Sequence, residues 1–182
     1  MKNYRDLAIR TENQDFDGIG QRLLANKAKV LEALNNAIKC AQELDSVVKK
    51  TCYYGKEPKV VKVPQFDIHS LDVSKLNDAS FIRLLHGFMG IATEAGEGLE
   101  ALAKAYNGEQ LDKVNVGEEL GDVFWYSAIV ADTCQTTFEQ EQAKNIAKLA
   151  KRYGEKFSDV KSMNRDLDAE RKILEANTDE KK

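Results

Sequence analysis

The sequence predicts an all-α fold of five to six helices. Composition is the first observation: the 182 residues are 42% hydrophobic and 31% charged and include only 2 prolines, a balance typical of helix-rich globular proteins. Spacing is the second, because apolar residues recur every three to four positions over long stretches of the chain. The length suits one compact domain with its own core.

The N-terminal part of the sequence predicts two helices. A short helix is expected over residues 4–14, and a break should follow around Asp17, Gly18 and Gly20. A long amphipathic helix is expected over residues 21–50, where leucine, isoleucine and alanine recur at helical spacing.

The middle of the sequence interrupts the helical pattern. Residues 53–76 contain both prolines, Pro58 and Pro64, and a valine-rich run over residues 60–63. Proline removes a backbone donor and restricts its neighbour, while valine favours extended backbone. We interpret this segment as a loop or a short hairpin.

The remaining sequence predicts four helices, each with a recognisable boundary. Asn77, Asp78 and Ser80 offer N-caps for a helix that ends near residue 106, before Asn107 and Gly108. Further helices are expected over residues 111–136, 139–153 and 158–177, and a polar tail over residues 178–182.

Charge and cysteine content exclude several classes of protein. The formal net charge of -3 gives no basic footprint for a nucleic-acid polymer. The three cysteines are too few and too far apart for a disulfide framework, which suits a reducing compartment. The first residues lack the apolar core of a signal peptide, and no apolar run reaches the roughly 20 residues of a membrane span. We therefore expect a cytoplasmic protein without a membrane partner.

Two short acidic motifs stand out in the second half of the sequence. Glu94 and Glu97 are three residues apart, as are Glu119 and Asp122. Side chains with this spacing share one helix face about 5–6 Å apart, close enough for two carboxylates to hold one cation. Two such helices packed together would present four carboxylates to one cavity, and hard oxygen ligands suit Mg²⁺ or Mn²⁺. A solvated helix surface is the alternative interpretation of an isolated motif.

The surrounding sequence favours a cation site over a solvated surface. Residues 84–103 and 114–143 contain no Lys or Arg, although neighbouring acids on a helix repel each other. The later motif lies in a helix with apolar residues on all sides, which predicts burial. Gly87 and Gly90 share the face of the earlier motif, away from the apolar stripe of their helix, so a partner or ligand should approach there.

Two further groups of residues could contact a ligand. Asn145, Lys148 and Arg152 follow i, i+3, i+7 spacing and share one helix face, which is either a phosphate-binding surface or the solvated side of an amphipathic helix. His86 lies about three turns before Glu97 on nearly the same face, and it either lines a ligand pocket or is a surface histidine without a role.

These residues resemble a known family, the MazG-like all-α nucleotide pyrophosphohydrolases. The family signature is ExxE, a variable spacer and ExxD, which this chain matches within the strings TEAGEGLEAL and VNVGEELGDVFWYSA. A later string, AKNIAKLAKRYGEKFS, resembles the family's C-terminal part. The resemblance covers residues 84–158 well and residues 4–11 and 164–175 more weakly.

The resemblance implies a helical bundle that forms a homodimer or homotetramer and uses Mg²⁺, with Mn²⁺ able to replace it. It assigns both metal binding and catalysis to four carboxylates, called the acidic quartet below: Glu94, Glu97, Glu119 and Asp122. Glu100 and Glu118 are candidates for an outer ligand or for orienting the attacking water. The residues expected to contact substrate are Tyr126, Asn145, Lys148, Arg152 and His86.

The implied reaction is hydrolysis of an NTP or dNTP to the monophosphate and pyrophosphate. One alternative substrate is another pyrophosphate-bearing nucleotide, such as a guanosine tetraphosphate alarmone. A second alternative is a non-catalytic oligomerisation or regulatory module, which the intact quartet disfavours. A di-iron bundle would need Glu-x-x-His motifs, which neither acidic motif provides. We expect a single domain over residues 1–177, with its core in residues 77–158 and additional helices in residues 4–50.

Overall fold

The protein is helical throughout the part of the chain that its computed structural model describes. The described residues are 3–53, 55–57, 66–154, 156, 160–161 and 164–176. These ranges contain seven α-helices and no strand, so the all-α prediction is confirmed with slightly more helices than expected. The chain divides into two compact units, Met1–Thr133 and Cys134–Lys182. None of the described helices has the length and apolar character needed to cross a membrane.

The first unit begins with two short helical segments. Helix α1 covers Tyr4–Ala8 and passes into a 3₁₀ turn over Ile9–Thr11. Helix α2 covers Phe16–Ala25, and it starts where the Asp15 carboxylate accepts a hydrogen bond from the backbone N–H of Gly18 at 3.0 Å. This cap satisfies a donor that the first turn of a helix otherwise leaves unpaired.

The break expected around residues 17–20 is wrong, because these residues lie inside α2. Gly20 is buried there, and a Cβ atom at this position would overlap the backbone carbonyl oxygen of Leu76. The glycine is therefore a close packing contact within a helix rather than a helix terminator.

The long helix expected over residues 21–50 is interrupted. Helix α2 ends at Asn26, whose side-chain amide donates to the carbonyl oxygen of Arg22 at 2.9 Å. Helix α3 then covers Lys27–Glu43 and continues into a π-helical segment over Leu44–Tyr53. Asparagine side chains compete with the helical backbone in this way, which local apolar spacing does not reveal.

The segment that was expected to be a loop or short hairpin contains two 3₁₀ turns, over Ile68–Ser70 and Val73–Asn77. The valine-rich run at residues 60–63 lies outside the described residues, so the hairpin stays a prediction.

Helices α4 and α5 form the most extensive pairing in the first unit. Helix α4 covers Ala79–Tyr106 and begins with the expected cap, since the Asp78 carboxylate accepts from the backbone N–H of Ser80 at 2.9 Å. It ends before Gly108, which has a φ of +100°. Helix α5 covers Lys113–Thr133, within the range that the sequence predicts.

Two side chains of this helix pair, Trp125 and Arg83, form hydrogen bonds with the N-terminal segment. The indole N–H of Trp125 on α5 donates to the carbonyl oxygen of Ala8 and to the hydroxyl of Thr11, at 3.2 and 3.0 Å. Arg83 on α4 makes two hydrogen bonds to the buried carboxylate of Glu12, at 2.8 and 2.7 Å. The guanidinium also bonds Asp132 on α5 at 2.8 Å, which completes a charge-assisted network.

The second unit contains helices α6, over Phe138–Tyr153, and α7, over Leu167–Ala176. Helix α6 starts with a capping box and ends at Gly154, which has a φ of +69°. Helix α7 begins later than the predicted residue 158. Its buried Glu170 joins the two helices by ion pairs with Arg152, on α6, and Arg165.

Candidate active site

Two glycines on α4 allow α5 to approach closely. A Cβ atom at Gly87 would lie 2.5 Å from a methyl carbon of Val130, and one at Gly90 would overlap the ring of Tyr126. Both glycines are buried against α5. The expected close approach on this face is therefore made by the neighbouring helix, and it brings the two acidic motifs together.

Three carboxylates of the acidic quartet meet between α4 and α5. Each of Glu94, Glu119 and Asp122 offers an oxygen, and these oxygens all lie within 4.8 Å of one another. Glu119 is only 8% exposed, Glu94 is half-buried and Asp122 is exposed. We call these three residues the carboxylate cluster. None of them pairs with a Lys or Arg in the described part of the chain.

The electrostatics of the cluster disfavour full ionisation of its buried member. Burial raises the pKa of Glu119, and a hydrogen bond with Glu94 and the charges of Glu97 and Glu94 raise it further. The amide of Asn115 acts in the opposite direction, since it donates to a carboxylate oxygen of Glu119 at 2.9 Å. A buried carboxylate surrounded by other carboxylates is stabilised by protonation or by a cation.

The donor set fits a small divalent cation. Carboxylate oxygens are the hard ligands that Mg²⁺ prefers, at about 2.1 Å, so opposite ligands of an octahedral ion are roughly 4.2 Å apart. The 4.8 Å spread of the cluster is close to that value, and small side-chain rotations would close the difference. The cluster therefore has the chemistry and nearly the spacing of a magnesium site.

Two polar residues that the sequence analysis missed support the cluster. Besides Asn115, the hydroxyl of Thr93 lies 3.2 Å from the carboxylate of Glu94, and it shares its single proton between this acceptor and the carbonyl oxygen of Gly90 at 2.8 Å. Asn115 precedes its partner by four residues, which places the two side chains on one helix face, so this contact could have been inferred from spacing.

Glu97, Glu100 and Glu118 lie outside the cluster. Glu97 is exposed and shares with Glu119 a polar cavity of about 560 Å³, which Glu100 also lines. Glu100 is paired with Lys104 at 2.8 Å, which lowers the pKa of Glu100. Glu118 is exposed, and no contact within the described residues links it to the cluster.

Tyr126 and His86 belong to an aromatic group beside the cluster. The rings of His86, Trp125 and Tyr126 are mutually edge-on, with centroids 4.9–6.0 Å apart. Burial raises the pKa of Tyr126, and so do the charges of Glu94, Asp122 and Glu97. The phenol is therefore a hydrogen-bond donor at neutral pH, in electrostatic contact with the cluster.

The predicted cationic complement lies in the second unit. Asn145 is exposed and Lys148 is half-buried, and Lys148 forms no ion pair with a described residue. Arg152 is different, because two nitrogens of its guanidinium, Nε and Nη2, donate to the carboxylate of Glu170. Arg152 therefore has a structural role in joining α6 to α7, which sequence spacing did not indicate.

An all-α fold whose carboxylate cluster has one buried member, and no Lys or Arg partner among the described residues, defines a class of helical protein suited to binding divalent metal. Comparison with family models narrows this class: residues 88–157 match the MazG nucleotide pyrophosphohydrolase domain. This match confirms, over these residues, the resemblance to the MazG-like family seen in the sequence. The comparisons with curated proteins and with solved structures gave no match.

Proposed function

We propose that the protein is a Mg²⁺-dependent pyrophosphohydrolase that converts a nucleoside triphosphate or deoxynucleoside triphosphate to its monophosphate and pyrophosphate. The observation that carries the proposal is the carboxylate cluster, in which three acidic oxygens converge with no countercharge from a described residue. The MazG domain match supplies the chemical class of the substrate.

In this proposal the acidic quartet holds the metal, which when bound neutralises phosphate charge and polarises the scissile anhydride. The two flanking donors, Thr93 and Asn115, keep their carboxylates oriented for binding. Tyr126 donates a hydrogen bond toward a substrate oxygen. Lys148, Asn145 and Arg152 are our candidates for contacts with the outer phosphates; two nitrogens of Arg152 also bond the carboxylate of Glu170.

The test is pyrophosphate release from each of the eight common NTPs and dNTPs, with Mg²⁺ and with a chelator. We expect turnover of at least one nucleotide, dependent on the metal. An alarmone and an oxidised nucleotide belong in the same panel, since turnover of only these would replace the proposed substrate. Absence of metal-dependent hydrolysis of every compound would refute an enzymatic function.

Substitution of the quartet tests the assignment of the site. Glu94→Gln, Glu97→Gln, Glu119→Gln and Asp122→Asn should each lower kcat/KM more than about 100-fold, since each removes a ligand charge while keeping the side-chain shape. The matched control is Glu32→Gln, the same change at an exposed position of α3. Near-full activity in two of the four variants, with unchanged circular dichroism, would contradict the assignment.

We also propose that the protein is a homo-oligomer, a dimer or a tetramer. Among the described residues only six apolar side chains are buried, which is a small core for a chain of this length. The apolar stripe of α4 remains exposed: Phe88 is 60% exposed, and Leu99 and Leu102 are 48% and 50% exposed. The sequence predicts that helix α5 is buried on all sides. This prediction is wrong for the single chain, because Leu120 and Phe124 are about half exposed.

An apolar surface of this kind is typical of an interface between subunits. Light scattering at micromolar concentration should give at least twice the mass of one chain. Phe88→Glu should shift the protein toward the monomer, because a charge in an apolar interface loses its hydration. A parent protein that is monomeric at this concentration would rule out the oligomer.

A further inference from the structure

A second cavity of the first unit lies beside the N-terminal half of α4 and is unlike the polar one. Its volume is about 290 Å³. Apolar side chains from α2 and α4 form most of its wall: Phe16, Ile19, Leu23, Leu85 and Met89. His86, of the aromatic group beside the carboxylate cluster, lies at its edge.

The cavity and Glu97 lie on the same side of α4, and His86 at the cavity edge contacts Tyr126, which is next to the carboxylate cluster. Met89, Thr93 and Glu97 follow i, i+4, i+8 spacing, and residues four apart on a helix lie one above the other. Met89 precedes Glu94 by five residues, which is about 7.5 Å along the helix axis at 1.5 Å per residue. The cavity therefore begins one to two helical turns from the carboxylate cluster.

We infer that this cavity binds the base, and part of the sugar, of the nucleotide whose reacting phosphate lies at the carboxylate cluster. The inference rests on the proposed function and goes beyond it, because it assigns base recognition to α2 and to residues outside the matched family region. Six covalent bonds of about 1.5 Å separate the α-phosphorus from the base, a path of roughly 9 Å along the bonds and somewhat less through space because the chain is bent. That length matches the separation along α4.

The size and the chemistry of the cavity suit a nucleobase. The volumes of ligand cavities in proteins range upward from about 300 Å³, so this cavity suits a flat ring system rather than a larger molecule. Apolar walls pack on the faces of a base, and polar groups are needed only where its edge meets the cavity rim.

Polar groups that could form hydrogen bonds with the edge of a base lie at the rim of the cavity. The amide nitrogen of Asn13 and both ring nitrogens of His86 make no hydrogen bond to a described residue, and both residues line the cavity. The carboxylate of Glu12, also in the wall, is held by Arg83 and so presents a fixed orientation. The rim therefore combines donors and acceptors in fixed and adjustable positions.

The experiment fills the cavity and measures binding of the reaction product, which cannot be hydrolysed further. Ile19→Trp places an indole in the cavity, and Leu24→Trp makes the same kind of change at an exposed position of α2 as the matched control. Calorimetric titration uses the nucleoside monophosphate of the best substrate, or each of the common monophosphates when no substrate is found, in the presence of Mg²⁺. We expect Ile19→Trp to weaken binding at least about tenfold, and Leu24→Trp to leave it within about twofold.

A second variant keeps the test independent of whether Ile19→Trp folds. Phe16→Ala enlarges the cavity and should change the order of KM values across bases, whereas Leu24→Ala, at an exposed position of α2, should leave that order as in the parent. Unchanged monophosphate affinity in Ile19→Trp, together with an unchanged order of KM values in Phe16→Ala, would overturn the inference. So would a parent protein that binds no monophosphate.

The outcomes separate this inference from the proposed function. Monophosphate binding that is lost in Ile19→Trp, in a protein that hydrolyses no nucleotide, would support the cavity and refute the enzyme. Metal-dependent hydrolysis with the same KM in the parent and in both cavity variants would support the enzyme and refute the cavity.

Discussion

Glu119 in the first compact unit and Glu170 in the second are both buried, and their surroundings are opposite. Glu170 in the second unit is 4% exposed and accepts hydrogen bonds from Arg152 and Arg165, which lower its pKa to about 2. Glu119 in the first unit is 8% exposed and faces Glu94 and Glu97. Burial and these neighbours raise its pKa.

The difference distinguishes a structural carboxylate from one that needs a ligand. Burying a charge is costly unless a partner compensates it, and in Glu170 the guanidinium groups provide that compensation within the chain. In Glu119 the described residues provide only one amide donor, from Asn115, against two carboxylates. A cluster of this kind is a functional-site candidate because its burial and like charges cost stability that the described residues do not offset.

The strongest test of the comparison is the effect of Mg²⁺ on thermal stability. Mg²⁺ at about 100 times its dissociation constant should stabilise the folded protein by about 2.7 kcal/mol, because the ion binds the native cluster and not the unfolded chain. The Tm increase should disappear in Glu119→Gln and persist in Glu170→Gln. Equal Tm increases in the parent and in Glu119→Gln would place the bound ion elsewhere.

This stabilisation should depend on pH in a definite direction. The folded-state pKa of Glu119 is raised above its unfolded value of 4.5, so in the metal-free protein its contribution to stability declines as the pH rises from 4.5 through the raised pKa. Protons compete with the metal at low pH, and the Mg²⁺-induced rise in Tm should therefore be larger at pH 8 than at pH 5. Differential scanning calorimetry with and without Mg²⁺ at the two pH values measures this rise in Tm.

Removing the charge of the structural glutamate should destabilise the second unit. Glu170→Gln leaves the guanidinium of Arg152 without its carboxylate, and we expect a loss on the order of 2 kcal/mol in the free energy of unfolding. Asp168→Asn, at an exposed position of the same helix, should change it by less than about 0.5 kcal/mol. Glu119→Gln should instead stabilise the metal-free protein. A lower free energy of unfolding in both Glu119→Gln and Glu170→Gln would contradict the proposed difference between the two glutamates.

The same ion pair predicts an acid transition. The pKa of Glu170 is lowered from 4.5 to about 2 in the folded state, so its contribution to stability is fully present above about pH 4.5 and is lost as the pH falls toward 2. Denaturant titrations monitored by circular dichroism between pH 5 and 2 should show this decline, with a smaller slope in Glu170→Gln. An identical slope in both proteins would assign the acid transition to other carboxylates.

The smallest expected effects concern the glycines that set the distance between α4 and α5. Gly90→Ala places a methyl group against the ring of Tyr126 and should cost about 1–3 kcal/mol by overpacking. Gly96→Ala is the control in the same helix, where nothing lies within 4 Å of the added carbon, and it should stabilise the protein by roughly 0.5–1 kcal/mol through helix propensity. Urea denaturation compares them, and a loss of stability in Gly96→Ala would reveal a contact from another subunit.

Boundaries with a local chemical cause could be predicted, apart from the interruption at Asn26, and a close contact with a distant residue could not. The cap at Asp78 and the glycines at 108 and 154 act on neighbouring backbone, so the limits of α4 and α6 follow from the sequence. The interruption at Asn26 and the helical Gly20 were missed. Gly20 depends on the carbonyl of Leu76, more than fifty residues away in the chain.

The candidate site shows the same division. The sequence contains the spacing of the four carboxylates, and the structure brings Glu94, Glu119 and Asp122 together, while their roles as metal ligands stay predictions. Arg152 shares a face with Lys148 in the sequence pattern, yet its partner Glu170 lies eighteen residues further along the chain. Side-chain pairing across elements is not encoded in the periodicity of a single helix.

The sequence by itself determined the all-α class, the course of α4, α5 and α6, and the presence of paired acidic motifs on two helices, because caps, glycines and helical spacing act within a few residues. Only the tertiary structure decided which side of α4 is buried. The glycine face packs on α5 and the apolar stripe remains exposed, since a Cβ-free surface allows the closer approach of two helices. That close approach places Glu119 beside Glu94, where burial and like charge make a carboxylate into a candidate metal ligand.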